Sequence, residues 1–311
     1  MSLQVNLIRS STLSASLNMP PAWPKLNIPS FLGCLGEVQR VEGSTDSWSW
    51  VIGELKRCPR DLATRGETLF LHKILYFNEM PRAIRAALGH SAAFCTLEED
   101  KRHLLFRALD AEVLELIRMD AGEEVVGTSN ISGKPSGLTL IDELARLQAF
   151  TLYQMIRMFG GGLEQRFIVE QQRDLVTTWA LQLLRRSMSV LGGASHHESS
   201  VHHGMGSWHT WILGESIRRT VMAIYMFYGV YSLAKNGYCA ELPTLAKLPV
   251  SKTPASWYSE AAYMAQGPRD EELQTLTYGE FTDSWTNSPP RRVDQFHKFL
   301  IVPCKGLEVI V

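Results

Sequence analysis

Residues 138–159 read LTLIDELARLQAFTLYQMIRMF. Within them Ile141, Leu144, Ala145, Leu147, Leu152, Met155, Ile156 and Phe159 recur mostly at three- and four-residue steps, the spacing that gathers side chains on one face of an α-helix. Gly160-Gly161-Gly162 follows at once and stops the pattern. An amphipathic helix is therefore expected over Leu138–Phe159.

The same pattern extends outward. Leu104, Leu105, Ala108, Leu109, Val113, Leu116 and Ile117 predict a helix over Glu98–Arg118, and Pro81 is placed to open another through Ile84, Ala87, Leu88, Ala92 and Phe94. Downstream, Leu163–Leu191 reads as one long helix ended by Gly192-Gly193. Trp208–Lys235 reads as the most apolar helix, closed by Asn236-Gly237. Shorter helices are expected around Ala255–Ala265, Tyr278–Trp285 and Val293–Val302. The patch Trp48–Leu55 is apolar without a settled period. No run alternates convincingly with period two, apart from a short candidate strand at Leu307–Val311. Residues 120–137 and Ala194–Ser207 read as loops. Pro20, Pro21, Pro24 and Pro29 make residues 1–45 an irregular N-terminal segment, leaving 46–311 as the helical domain. The expected fold class is all-α, an irregular multi-helix bundle.

Composition narrows the function classes. The 311 residues are 45% hydrophobic and 20% charged, with a formal net charge of -1. That balance fits a globular core and runs against a free-standing nucleic-acid binder, which usually carries a basic excess. The five cysteines, Cys34, Cys58, Cys95, Cys239 and Cys304, are nowhere closer than 24 residues apart. They form no CxxC, so reduced thiols are expected rather than a disulfide framework or a cysteine zinc site. Residues 1–30 hold only Arg9 and Lys25 as cations and do not read as a signal peptide. The longest uncharged apolar stretch, Thr220–Ala234, has 15 residues, too few to span a bilayer. A soluble intracellular protein with no membrane partner is expected.

Four segments, in order, resemble the C-terminal regulatory domain of fungal zinc binuclear cluster transcription factors. Leu69-Phe70-Leu71-His72-Lys73 through Met80-Pro81 is similar to that family's FIH…MP stretch. Leu144–Phe159 is similar to its ARxQALxLYQxIRLF helix. Trp208-His209-Thr210-Trp211 with Glu215-Ser216-Ile217-Arg218-Arg219-Thr220 is similar to its WxxWxxxESxRRT signature, and Val302-Pro303-Cys304-Lys305-Gly306 to its closing CKG. The resemblance covers roughly residues 65–311. It implies a nuclear or cytoplasmic regulator of transcription, with a metabolic gene cluster as the expected target. The family's DNA-binding module needs six cysteine thiolates around two zinc ions, and the five scattered cysteines here do not supply them. The expectation is a regulator without its own DNA-binding module and without direct nucleic-acid contact. Its partners would be proteins, a full-length transcription factor among them, together with a small-molecule effector. No cofactor and no catalytic residue is assigned.

The candidate effector pocket is Trp208, Trp211, Glu215, Arg218, Arg219 and Tyr225. On a helix Trp208, Trp211 and Glu215 share one side, and an arginine three or four residues on reaches back to Glu215. Two readings follow. One is an aromatic wall with a charged end that holds a small molecule. The other is a helix–helix anchor fixed by an ion pair, the ordinary role of an aromatic stripe. The anchor reading expects Trp211 buried and Glu215 paired with Arg218 or Arg219. An enzyme or small-molecule-binding protein on the same scaffold is the alternative function, with Glu215 as general acid or base. His196, His197, His202 and His203 are weak candidate metal ligands, because glycines around them make a preformed site improbable and Val201 stands where an HExxH helix needs histidine. The sequence holds no GxSxG, GxxxxGK[ST] or GxGxxG motif.

Overall fold

The computed structural model describes residues 44–120, 138–192, 207–265, 275–287 and 293–310. These residues are overwhelmingly helical. In chain order the helices are α1 (Ser44–Arg65), α2 (Arg82–Thr96), α3 (Arg102–Asp120), α4 (Leu140–Gly160), α5 (Leu163–Gln171), α6 (Arg173–Gly192), α7 (Ser207–Asn236), α8 (Leu242–Leu245), α9 (Glu260–Met264), α10 (Tyr278–Asn287) and α11 (Gln295–Lys305). Two three-residue strands, β1 (Pro249–Ser251) and β2 (Thr275–Thr277), pair antiparallel with Val250 opposite Leu276. The fold is an all-α multi-helix bundle with this small ribbon at one side. The irregular segment expected over 1–45 lies outside the described residues, apart from the start of α1 at Ser44.

Helix α4 is the axis. Thr139 caps it by accepting the Asp142 N–H at 3.2 Å, and Asp142 and Glu143 place negative charge at its N-terminus. The helix packs against α1, α2, α3, α5, α6 and α7. Every residue from Leu144 to Met158 is buried. The expected single apolar face is thus too narrow a description, because the polar side is covered as well. Polar side chains there find partners on neighbouring helices. Arg157 donates to Asp110 at 2.7 Å and to Gln165, Gln154 donates to Gln172 at 2.7 Å, and the Arg146 guanidinium lies 4.1 Å from the Trp179 ring centroid. At Gly161 the chain turns back so tightly that a Cβ would sit 2.4 Å from Gln165 Cβ.

The structure corrects several boundaries. Leu163–Leu191 is two helices rather than one. They meet at Gln172, whose N–H still reaches Ile168 O at 3.1 Å while its side chain accepts from Gln154 on α4. Glu98–Arg118 begins as a 3-10 turn, Glu99–Lys101, before α3. Ala255–Ala265 is a 3-10 turn, Pro254–Trp257, and then α9, separated by extended Ser259, which caps α9 at the Ala262 N–H. The candidate strand at Leu307–Val311 is instead a 3-10 turn over Leu307–Ile310 that folds back on α11, with Val311 outside the described residues. Gly306 makes that reversal at φ 85° and ψ 174°, a conformation open essentially to glycine alone. The undecided patch Trp48–Leu55 lies inside α1. The loops expected over 120–137 and Ala194–Ser207 fall almost wholly outside the described residues, with Asp120 ending α3, Leu191 and Gly192 ending α6, and Ser207 opening α7.

Candidate functional site

Helix α7 carries the signature segment, and its N-terminal half runs into the most charged part of the interior. Glu215 is 2% exposed. Its Oε1 accepts from Arg219 Nε at 2.8 Å and its Oε2 from Arg218 Nε at 3.0 Å. A second carboxylate completes the cluster. Asp294, just ahead of α11, caps that helix through Oδ1 on the His297 N–H at 2.8 Å, and its Oδ2 accepts from Arg219 at 3.1 Å. The Arg219 guanidinium also lies against two rings, 4.0 Å from the Trp257 centroid and 4.5 Å from that of Phe296. Burial works against its charge, but Glu215 and Asp294 outweigh burial and hold it protonated above the usual arginine range.

Beside this cluster is an open cleft of about 880 Å³. Its floor is aromatic: Trp208, Trp257 and Phe296, with His72 and Arg219 between them. One wall is the C-terminal half of α1, with Arg57, Asp61 and Arg65. The opposite wall is the segment from Glu67 to Phe77, and Tyr258 and Gln295 close an end. The floor is held by long-range bonds. Trp208 donates its indole N–H to Ser256 O at 2.8 Å. His72 accepts the Ile74 N–H on Nδ1 at 3.2 Å, so its hydrogen is on Nε2, which donates to Trp257 O at 2.9 Å. Burial pulls the His72 pKa below the ordinary histidine value, and Arg219 and Lys73 pull the same way, so the ring is neutral near pH 7.

Of the six candidate pocket residues, Trp208 and Arg219 face this cleft. Trp211 is buried on another side of α7, with its ring 5.9 Å from that of Tyr263 on α9. Glu215 and Arg218 sit in the ion cluster. Tyr225 lies further along α7 near Thr177 and Glu241, where burial pushes its phenol up to about 12. Of the six, Trp208 and Arg219 are thus the two that line this cleft. Trp211 is buried and Glu215 pairs with both arginines, the arrangement the anchor reading expects. Both Glu215 oxygens are committed to in-chain donors, a poor setting for a general acid or base. Sequence reasoning missed Asp294, Trp257, Phe296 and the role of His72, because no local period links them to Arg219. His196, His197, His202 and His203 lie outside the described residues. Among the described residues no group of three His, Cys, Asp or Glu side chains could hold a metal ion, and no helix is long and apolar enough to cross a membrane.

Three of the four family-like segments meet in one buried knot. Gln148 of α4 donates through Nε2 to Phe70 O at 3.0 Å and to Thr220 Oγ1 at 3.2 Å, and its Oε1 accepts from Tyr76 at 2.7 Å. The fourth segment is tied separately: Tyr278 OH, which donates to Leu300 O at 2.8 Å, lies 3.0 Å from Cys304 Sγ. The family-like residues thus build the frame that carries the cleft.

Comparison with known proteins finds a similarity to a fungal transcription factor. The chain is 31% identical over 207 residues to "Transcription factor gsfR2" of Penicillium aethiopicum, a match that covers 65% of this chain and 47% of that protein. The chain is therefore related to a fungal transcription factor and spans about half the length of the curated relative it matches. No protein-family model matches the chain, and no solved structure matches it.

Proposed function

We propose that this chain is a transcription-associated regulator that works through protein contacts, without a DNA-binding module of its own. In this reading it pairs with a full-length transcription factor, is nuclear, cytoplasmic or both, and controls a metabolic gene cluster. The observation that carries the reading is the similarity to a fungal transcription factor over 207 residues. The near-neutral charge and the five scattered cysteines support the part that concerns DNA, since the chain carries no basic excess and its cysteines do not supply six paired thiolates. The family-like segments build the frame at the buried Gln148 knot and also line the cleft through His72, Lys73, Trp208 and Arg219.

A second reading is a small-molecule-binding protein on the same scaffold, and the cleft over Trp208, Trp257 and Phe296 is the observation in its favour. A gel shift with the purified chain tests the first. The chain alone is expected to leave duplex DNA unshifted in any sequence-specific way and to carry no stoichiometric zinc by atomic absorption. Specific retardation by the chain alone would overturn the proposal.

A further inference from the structure

We infer that the cleft between α1 and the Glu67–Phe77 segment binds a small organic anion with an aromatic body, such as an aromatic carboxylic acid or an ionised phenol. Three observations converge on that chemistry, and none depends on the regulatory reading.

The floor is apolar in what it offers a ligand. Trp208 and His72 have already committed their ring N–H groups to Ser256 O and Trp257 O, and the floor rings are themselves buried, so the ring surface a ligand can reach is mainly at the rim. At the rim two further rings stand in the open, Phe77 at 83% exposure and Tyr258 at 60%. Such rings favour stacking against a flat, apolar molecule.

The rim is cationic in what it presents outward. In each of its three ion pairs the cation is the exposed member. Arg57 is 54% exposed against 4% for Glu54, Arg65 57% against 19% for Asp61, and Lys73 65% against 33% for Glu67. Asp61 and Glu67 also line the cleft, but they are the less exposed partners, so the more accessible charge there is positive. Surface pairs of this kind are worth about 0–1 kcal/mol, so turning a cation toward a ligand anion sacrifices little.

Size selects a small molecule. A cavity of about 880 Å³ falls within the roughly 300–1,000 Å³ usual for small-ligand sites. A ligand seated here has its acid group at the Arg65–Lys73 rim and its ring system against the exposed rings of Phe77 and Tyr258.

Calorimetric titration of the whole chain with 2-naphthoate tests the assignment. Saturable single-site binding is expected, weakened by added salt. The neutral isostere 2-naphthalenemethanol is expected to bind about tenfold more weakly or worse. The double variant Arg65→Gln/Lys73→Gln is expected to lose about tenfold in affinity with its melting temperature unchanged, because both side chains are largely exposed. Phe77→Ala is expected to lose affinity in the same direction. Arg185→Gln, on an exposed stretch of α6, is the control and is expected to bind like wild type. The inference is overturned if no saturable binding is seen at millimolar 2-naphthoate, if the alcohol binds as tightly as the acid, or if the double variant binds as well as the control.

Discussion

A carboxylate taken out of water needs partners, and Glu215 has two guanidinium groups within 3.0 Å. Removing it leaves Arg219, 1% exposed, with Asp294 as its remaining carboxylate among the described residues, and takes the Glu215 carboxylate from Arg218. Breaking a buried pair from one side costs about 3–5 kcal/mol. Glu215→Ala is therefore expected to lower the urea unfolding midpoint clearly and to reduce soluble yield. A variant as stable as wild type would contradict the structural role and bring a ligand-binding role for the carboxylate forward. At this scale the sequence was half legible. Glu215 and Arg219 are four apart on an obvious helix, so their pairing follows from spacing alone. Asp294, Trp257 and Phe296 come from distant short segments, and nothing in their own neighbourhoods signals that a buried guanidinium is waiting for them. Tyr225 shows the converse. It shares a helix with Arg219 yet faces α6, so helical proximity in sequence did not place it in the same site.

At the scale of elements, the organising contact is Gln148, fully buried in α4 and bonded to Phe70 O, Tyr76 and Thr220. One side chain thereby joins the segment before α2, the central helix and α7. Gln148→Leu keeps similar bulk but leaves a carbonyl and two hydroxyls without this partner, at about 1–3 kcal/mol for each group left unsatisfied. Its unfolding midpoint is expected to fall, with faster amide hydrogen exchange in both α4 and α7. Loss of protection confined to α4 would contradict the coupling. The apolar periodicity of α4 was plain in the sequence, but its burial on all sides was not, since the partners of Arg157, Gln154 and Arg146 lie on other helices. The break at Gln172 was hidden for a related reason: no glycine or proline marks it. The strands were invisible because three residues are too short to display a period of two. Helix α1 was hidden by its own Pro59, which reads as a breaker yet sits inside the helix.

For the whole molecule, the all-α class followed from periodicity, because long helices announce themselves repeatedly along the chain. The cleft did not, because it is a property of how α1, the Glu67–Phe77 segment and α11 are set around α7. The regulatory reading belongs to this scale too. A chain with net charge -1, helical throughout its main elements and similar to a fungal transcription factor, is expected to alter transcription through partners. Frame and cleft share residues: the family-like segments hold the bundle together and also supply His72, Lys73, Trp208 and Arg219 to the cleft. The most direct measurement is the transcript profile of a strain lacking this chain, compared with the same strain complemented by wild type. The account predicts that a defined set of metabolic genes changes expression on loss and returns on complementation. An unchanged transcript profile, with a metabolic defect present all the same, would contradict a role in transcription and leave the small-molecule reading in its place.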